Sequence, residues 1–558
     1  MKKLSMTITA AVLAISMTGC FVEPVDIPSS TSSYRETSSV LTQEEIERIE
    51  RVESQLAAEV MTSNEDGTLS MPRIDIVTKD TSENALDFVI NPVTRHVANS
   101  IASYTPDYII PVEPYYVDCA ITVTDETNTV TLESIDAEVK VRGSWTTSYE
   151  KKPLRIKFNK KQSMLGLNDG AEFKNWVLLA EYKDSSMLRN KTVFQIANEI
   201  LEPEGYYCTD AKLVEVTING KYWGVYLLAE QQEAKENRVN VPEPEEDYTG
   251  TDIGYFLEFD GYYFDEDELQ RFHIDYVNNA PLNAYTAKGV TGKTVTVLPT
   301  GREYDKTRDI GFTIKSDIYS KEQRDFIANF VDGVYKIMYE ASYRNRAYVF
   351  NDDCTKLTLT AEITPKEAIE KVIDVNSLVN IYIINEVACD ADIYWSSFFM
   401  TADFTAEGDR KLVFTAPWDF DSAMGNVAAA GGRCMDAQGL FTSIPIVSTN
   451  NKYESLNPWL AVIADEDWFQ ELVKERWTEI YDSGVFDRAI EMIKNDSKQY
   501  IDNIKRNYLK WENLGRTPKF TVDLSQEVPT IPTYNAAVNF LKSWLEARVE
   551  FLNSQWHK

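Results

Sequence analysis

The chain has only three histidines in 558 residues, His96, His273 and His557. A Ser-His-Asp triad, a histidine-rich metal site or a phosphohistidine relay has little to be built from. Its six cysteines form no CxxC pair, which argues against zinc, and with Cys20 set aside an odd number remains, which denies a complete disulfide framework. Phosphate loops of the GxxxxGK[ST] type are absent. Basic residues are outnumbered: 56 Lys and Arg face 88 Asp and Glu, a net charge of −32, and so acidic a chain repels nucleic acid. Beyond the N-terminal segment no apolar run is long enough to span a bilayer. Chemistry must therefore run on carboxylates, lysine, arginine and a metal held by oxygen ligands.

What is present begins with an export signal: Met1-Lys2-Lys3, an almost uncharged run from Leu4 to Met17, then Thr18-Gly19-Cys20. A cysteine directly after glycine marks lipoprotein processing, in which the Cys20 thiol carries the diacylglycerol anchor. Met17 is a less usual residue than leucine at its position, and ordinary secretion is the alternative. Residues 1–19 are thus expected to be a signal peptide, and the protein a membrane-anchored, extracytoplasmic lipoprotein at the bacterial cell surface. Residues 20–65 read as a Ser/Thr/Pro/Glu-rich tether followed by a short helix over 43–61, with Ile46, Ile49, Val52, Leu56 and Val60 on one face. We expect packing rather than a coiled stalk from that helix.

Residues 66–556 read as one large α+β domain. Period-two alternation, as in Arg73-Ile74-Asp75-Ile76-Val77 and Cys119 to Thr124, predicts antiparallel sheet, continued through Ala137 to Arg142, Leu154 to Phe158 and Trp176 to Leu179. A helix is predicted over Ser185 to Leu201, capped by Ser185 or Asp184. Strands Lys212 to Ile218 and Trp223 to Leu228 meet at Asn219-Gly220, a strong hairpin signal. The β-rich part is expected over about 66–262, a polar insertion over about 264–315 and a mostly helical part over about 320–556. A cleft between two such parts is where a nucleotide would sit.

Three constellations stand out. In Leu154-Arg155-Ile156-Lys157-Phe158 the cations share one strand face, near Lys140 and Arg142; they fit either a polyphosphate or an ordinary charged outer surface. Glu386, Asp390 and Asp392 end an apolar helix, where a carboxylate can acquire the shifted pKa of a general base, or simply be solvated. Asp419-Phe420-Asp421 follows a strand and forms a hard-cation site for Mg²⁺ or Mn²⁺, although acidic turns are common. An acid loop followed by a metal-binding acid is the order found in protein kinases.

At these residues the chain resembles the CotH family of atypical protein kinases. The resemblance runs through VRGSWTTSYEKKPLRIKF (141–158), MLGLNDGAEFKNWVLLAEYKDSSMLRNKTVFQIANEI (164–200), TINGKYWGVYLLAEQQEAKENRV (217–239), NEVACDADIYWSSFFM (385–400) and KLVFTAPWDFDSAMGN (411–426). It implies a divergent two-lobed kinase-like fold that uses ATP and Mg²⁺ or Mn²⁺ to phosphorylate Ser or Thr of secreted or surface proteins. In that likeness Asp392 is the catalytic base and Asp419 the metal ligand, assisted by Asp421. Lys157, Arg142 and Arg189 become the phosphate contacts, and Glu230 a hinge or ion-pair residue. Ser397 stands where the kinase pattern has a second metal-binding Asn, which makes a pseudokinase thinkable. The acidic charge favours a basic, Ser/Thr-rich protein partner. Two rivals remain: a non-catalytic surface module that binds carbohydrate or protein, given 24 Phe, 30 Tyr and 11 Trp, and a two-carboxylate glycosidase using Glu386 and Asp392.

Overall fold

The computed structural model describes residues 63–82, 84–90, 116–143, 145–274, 310–427, 434–442, 457–514 and 531–558, with short helical or strand pieces at 47, 51–52, 54–56, 285–288, 294–297, 446–447 and 454–455. The export signal, Cys20 and the tether lie outside the described residues.

The N-terminal half closes into a seven-stranded barrel. Strands β1 (Arg73–Thr78), β2 (Val117–Thr124), β3 (Val130–Val141), β4 (Leu154–Gln162) and β5 (Phe173–Leu179) pair in sequence, and β6 (Ala211–Ile218) and β7 (Lys221–Glu230) complete the ring in the order β1-β2-β3-β4-β5-β7-β6. Closure comes from parallel pairing of β1 with β6, from Arg73 opposite Glu215 to Ile76 opposite Ile218. The expected antiparallel alternation is present, and its inward residues, including Ile74, Ile121, Val139, Ile156, Trp176 and Tyr226, fill one core. The β6–β7 turn has both central residues left-handed, Asn219 at φ 51° and Gly220 at φ 74°, as a tight hairpin requires.

The helix Arg189–Leu201 leaves β5 and packs against the second half of the molecule. That half contains another sheet. Strands β8 (Gly254–Asp260), β9 (Arg271–Phe272), β10 (Gly311–Ile314), β11 (Phe398–Asp403) and β12 (Leu412–Thr415) run in the order β12-β11-β8-β10-β9. Segment 254–260, expected with the β-rich part, thus belongs to this sheet, as do both ends of the stretch read as a polar insertion. Helices surround it: Lys321–Arg344 with a Ser320/Gln323 capping box, Val375–Ala388, Asp467–Asp482, Val485–Gln499, Ile501–Trp511 and Tyr534–Trp556. The protein is therefore α+β, β-rich first and helical later, with a closed barrel where the sequence pointed only to a sheet. Leu56 of the N-terminal helix is buried against Tyr222 beside Val52. Among the described residues no helix is long and apolar enough to cross a membrane, and Cys119, Cys208, Cys354, Cys389 and Cys434 are all buried.

Candidate active site

A cavity of about 540 Å³ opens between the barrel and the five-stranded sheet. The barrel supplies Arg142 at the end of β3 and Lys183 from the loop after β5; the second half supplies Asp392, Ser397, Asp419 and Asp421.

Local chemistry explains why the carboxylates meet. The helix Val375–Ala388 stops at Cys389, whose left-handed φ of 47° turns the chain. Asp390 then accepts the amide of Asp392 at 3.2 Å, starting a single turn in which the Asp392 carbonyl accepts from Trp395 and Ser396. On the other side, β12 runs out through Ala416 (φ 53°) to Asp419 (φ 66°). Left-handed non-glycine residues are costly, about 1–3 kcal/mol each, and persist where the surroundings over-determine them. Here they are pinned: Gln232 donates to the Ala416 carbonyl at 2.7 Å, Phe420 donates its amide to Asn190 Oδ1 at 2.7 Å, and Met424 donates its amide to the Ala388 carbonyl at 2.7 Å. Asn426 closes the turn onto the Asp421 carbonyl at 2.7 Å.

One oxygen each of Asp392, Asp419 and Asp421 lies within 4.8 Å of the others. Burial pushes the Asp419 carboxyl well above its usual range, and the charges of Asp421 and Asp392 add to the shift against the opposing pull of Arg142 and Lys183. Asp390, fully buried beneath, is raised for the same reasons, burial first and Asp392 next, and its Oδ2 has no hydrogen-bond partner. Three converging carboxylates with too little positive charge form an all-oxygen donor set, and that set fits a hard divalent cation.

Two cations face the triad. Lys183 Nζ donates to Ser422 Oγ at 2.6 Å and lies 3.9 Å from Asp421 Oδ1. The Arg142 guanidinium sits over the Trp418 ring, 5.6 Å from its centroid, and Trp418 stacks on Phe194. Opposite them the wall is acidic. Glu258, Asp260, Asp265 and Glu266 line the cavity against a single Lys315, which pairs with Glu258 at 2.8 Å. Burial and then Glu258 raise the Asp260 carboxyl to about 7. This wall is tied to the Asp392 loop: Ser397 (φ 60°) donates its amide to Glu258 Oε1 at 3.1 Å, and the Trp395 carbonyl accepts from Gly261.

Of the residues singled out by sequence, Arg142, Asp392, Ser397, Asp419 and Asp421 come together, whereas Lys157, Arg189, Glu230 and Glu386 stand apart. Lys157 faces outward and pairs with Glu138 at 3.4 Å. Arg189 is fully buried, paired with Asp184, and donates to the carbonyls of Ala423 at 3.1 Å and Met424 at 3.4 Å, so it braces the Asp421 turn from behind. Glu230 is buried among Asn168, Arg238 and the Asp210 amide. Glu386 is sealed by Arg548 at 2.6 Å and the amides of Phe441 and Thr442, which removes it as half of a glycosidase pair. Lys183 and Asn190 were not singled out. Their signal is placement: both lie on the segment between a strand end and the first turn of a helix, where loops carry sites.

Barrel, sheet and cleft thus define an α+β protein with a cluster of three carboxylates, faced by two cations, whose donor set fits a divalent cation. The family model described as CotH kinase protein matches residues 139–552, which include every cavity residue named above, and the chain belongs to this family. Comparison with curated proteins gives no match.

Proposed function

We propose that the protein is an atypical ATP-dependent Ser/Thr protein kinase of divergent two-lobed build. It would act outside the cytoplasm, held to the bacterial membrane through a lipid on Cys20, on secreted or surface proteins. The observation that carries this reading is the meeting of Asp392, Asp419 and Asp421 with Arg142 and Lys183 in one cavity. It is the set that phosphoryl transfer needs, since that reaction asks for positioning and charge stabilisation.

Asp419 and Asp421 would hold Mg²⁺ or Mn²⁺, which when bound neutralises charge on the phosphates. Arg142 and Lys183 hold the phosphate oxygens from the barrel side. Asp392 accepts the proton of the acceptor hydroxyl as its oxygen bonds to the γ-phosphorus and the bond to the departing ADP oxygen breaks. Ser397 offers a hydroxyl beside Asp392 as an auxiliary metal or water contact. Because the acidic wall adjoins the Asp392 loop, the acceptor enters along it, and a Lys/Arg-rich, Ser/Thr-containing segment complements it. Titrating ATP with Mg²⁺ into the protein and into Asp419→Ala tests the nucleotide site: binding lost in the variant supports the reading, and no binding by the native protein refutes it.

A non-catalytic nucleotide-binding module is the second reading. Ser397 favours it, standing in place of the second metal-binding Asn with its amide committed to Glu258. A sugar-binding module has less behind it, because the exposed large aromatics among the described residues are Tyr248 and Tyr481, neither of which lines the cavity.

A further inference from the structure

Glu181 leaves the end of β5 two positions before Lys183 and lines the same cavity. It is 5% exposed and held in a left-handed backbone at φ 50°. Its Oε1 accepts from Asn190 Nδ2 at 3.0 Å, and Asn190 accepts from the amide of Phe420 between Asp419 and Asp421. The carboxyl is therefore braced against the turn that carries the acidic triad. Its other oxygen, Oε2, is buried without any hydrogen-bond partner. Buried polar atoms are nearly always paired, so this one calls for a ligand.

Building on the kinase reading, we infer that Glu181 binds the nucleotide directly, its Oε2 hydrogen bonding to a phosphate oxygen. The groups that act on Glu181 decide its form. Burial acts first, then Asp184 and Asp421, and together they favour the neutral acid against the Asn190 hydrogen bond and Lys151. Lys151 offers little compensation: its Nζ is spent on the carbonyl of Ala180 at 2.8 Å and that of Val225, and burial favours its own neutral form. With Oε1 committed as an acceptor from Asn190, the proton sits on Oε2. That oxygen is then a donor on a residue that lines the cavity, and a phosphate chain held by Lys183 would supply an anionic acceptor. A neutral carboxylic acid in a dry site can hold an anionic oxygen in this way, whereas a carboxylate would repel it.

The test measures dissociation constants of ATP and of adenosine for the full chain, Glu181→Gln and Glu181→Ala. Glutamine keeps both the acceptor for Asn190 and a donor toward the cavity, so ATP affinity stays within about threefold, whereas alanine loses about tenfold or more, as for a hydrogen bond to a charged group. Adenosine affinity is unchanged in both variants. An unchanged ATP affinity in Glu181→Ala, or equal losses for ATP and adenosine, overturns the inference while leaving the kinase reading in place. A native protein that binds no ATP overturns both. Should the alanine variant not fold, infrared difference spectra decide. A protonated-carboxyl band that shifts on ATP addition in the native protein and is missing from Glu181→Gln supports the contact; an absent or unmoved band refutes it.

Discussion

Lys183 donates to the hydroxyl of Ser422 at 2.6 Å, across 239 positions of sequence, and so joins the loop leaving the barrel to the turn that carries Asp421. It is a direct polar link between the two halves at the candidate centre, beside that of Asn190 with the Phe420 amide. Removing it separates two effects of opposite sign. Lys183→Ala deletes a positive charge beside the triad, so divalent-cation affinity in the absence of nucleotide should rise. Phosphoryl transfer should fall by about 10²–10³, the usual cost of losing a preorganised electrostatic group. Calorimetric Mn²⁺ titration and steady-state kinetics check the two signs.

Arg189 and Arg548 each occupy a sealed pair, with Asp184 and Glu386. Truncating one partner strands a buried charge, so Arg189→Ala and Arg548→Ala should each cost about 3–5 kcal/mol in denaturant unfolding. Lys157→Ala removes a solvent-exposed ion pair with Glu138 and a contact over the Tyr116 ring, and should cost about 0–1 kcal/mol.

These contrasts show what the sequence could and could not reveal. Alternation in Leu154 to Phe158 places Arg155 and Lys157 on one strand face, but which face meets solvent depends on barrel closure through β1 and β6, a contact far apart in sequence. Arg189 has the residue type of a phosphate ligand; its fate is set by Asp184, whose carboxylate also accepts the amides of Leu188 and Arg189 at 3.0 and 2.9 Å. The Asp392 and Asp419-Phe420-Asp421 segments were legible because their order along the chain is itself the signal, and the structure brings their oxygens together. Lys183 was not, since a lone lysine beside an aspartate looks like any solvated loop.

The Asp260 carboxyl, raised to about 7 in the folded state, has an ordinary value of about 3.9 when unfolded. Between those values the folded state binds more protons, so its contribution to stability is full below about 4 and lost as pH rises through about 7. Asp260→Asn should flatten that part of the stability profile and raise the melting temperature at pH 8 relative to the native protein.

Asp265 and Glu266 are exposed on the acidic wall. If that wall receives the acceptor, Asp265→Lys with Glu266→Lys should raise KM for a Lys/Arg-rich Ser peptide about tenfold or more, leave KM for a neutral peptide within about threefold, and spare kcat, as expected for like-charge juxtaposition outside the reacting atoms. Peptide kinetics at low and high salt separate this from misfolding.

The central claim is tested most directly by transfer of γ-labelled phosphate from ATP with Mg²⁺ or Mn²⁺, to the protein itself and to a basic Ser-rich peptide, beside Asp392→Ala and Asp419→Ala. The account predicts label with the native protein and none above background with either variant. Label that survives Asp392→Ala and Asp419→Ala unchanged, or a folded native protein that binds ATP and transfers nothing to any acceptor, would contradict it.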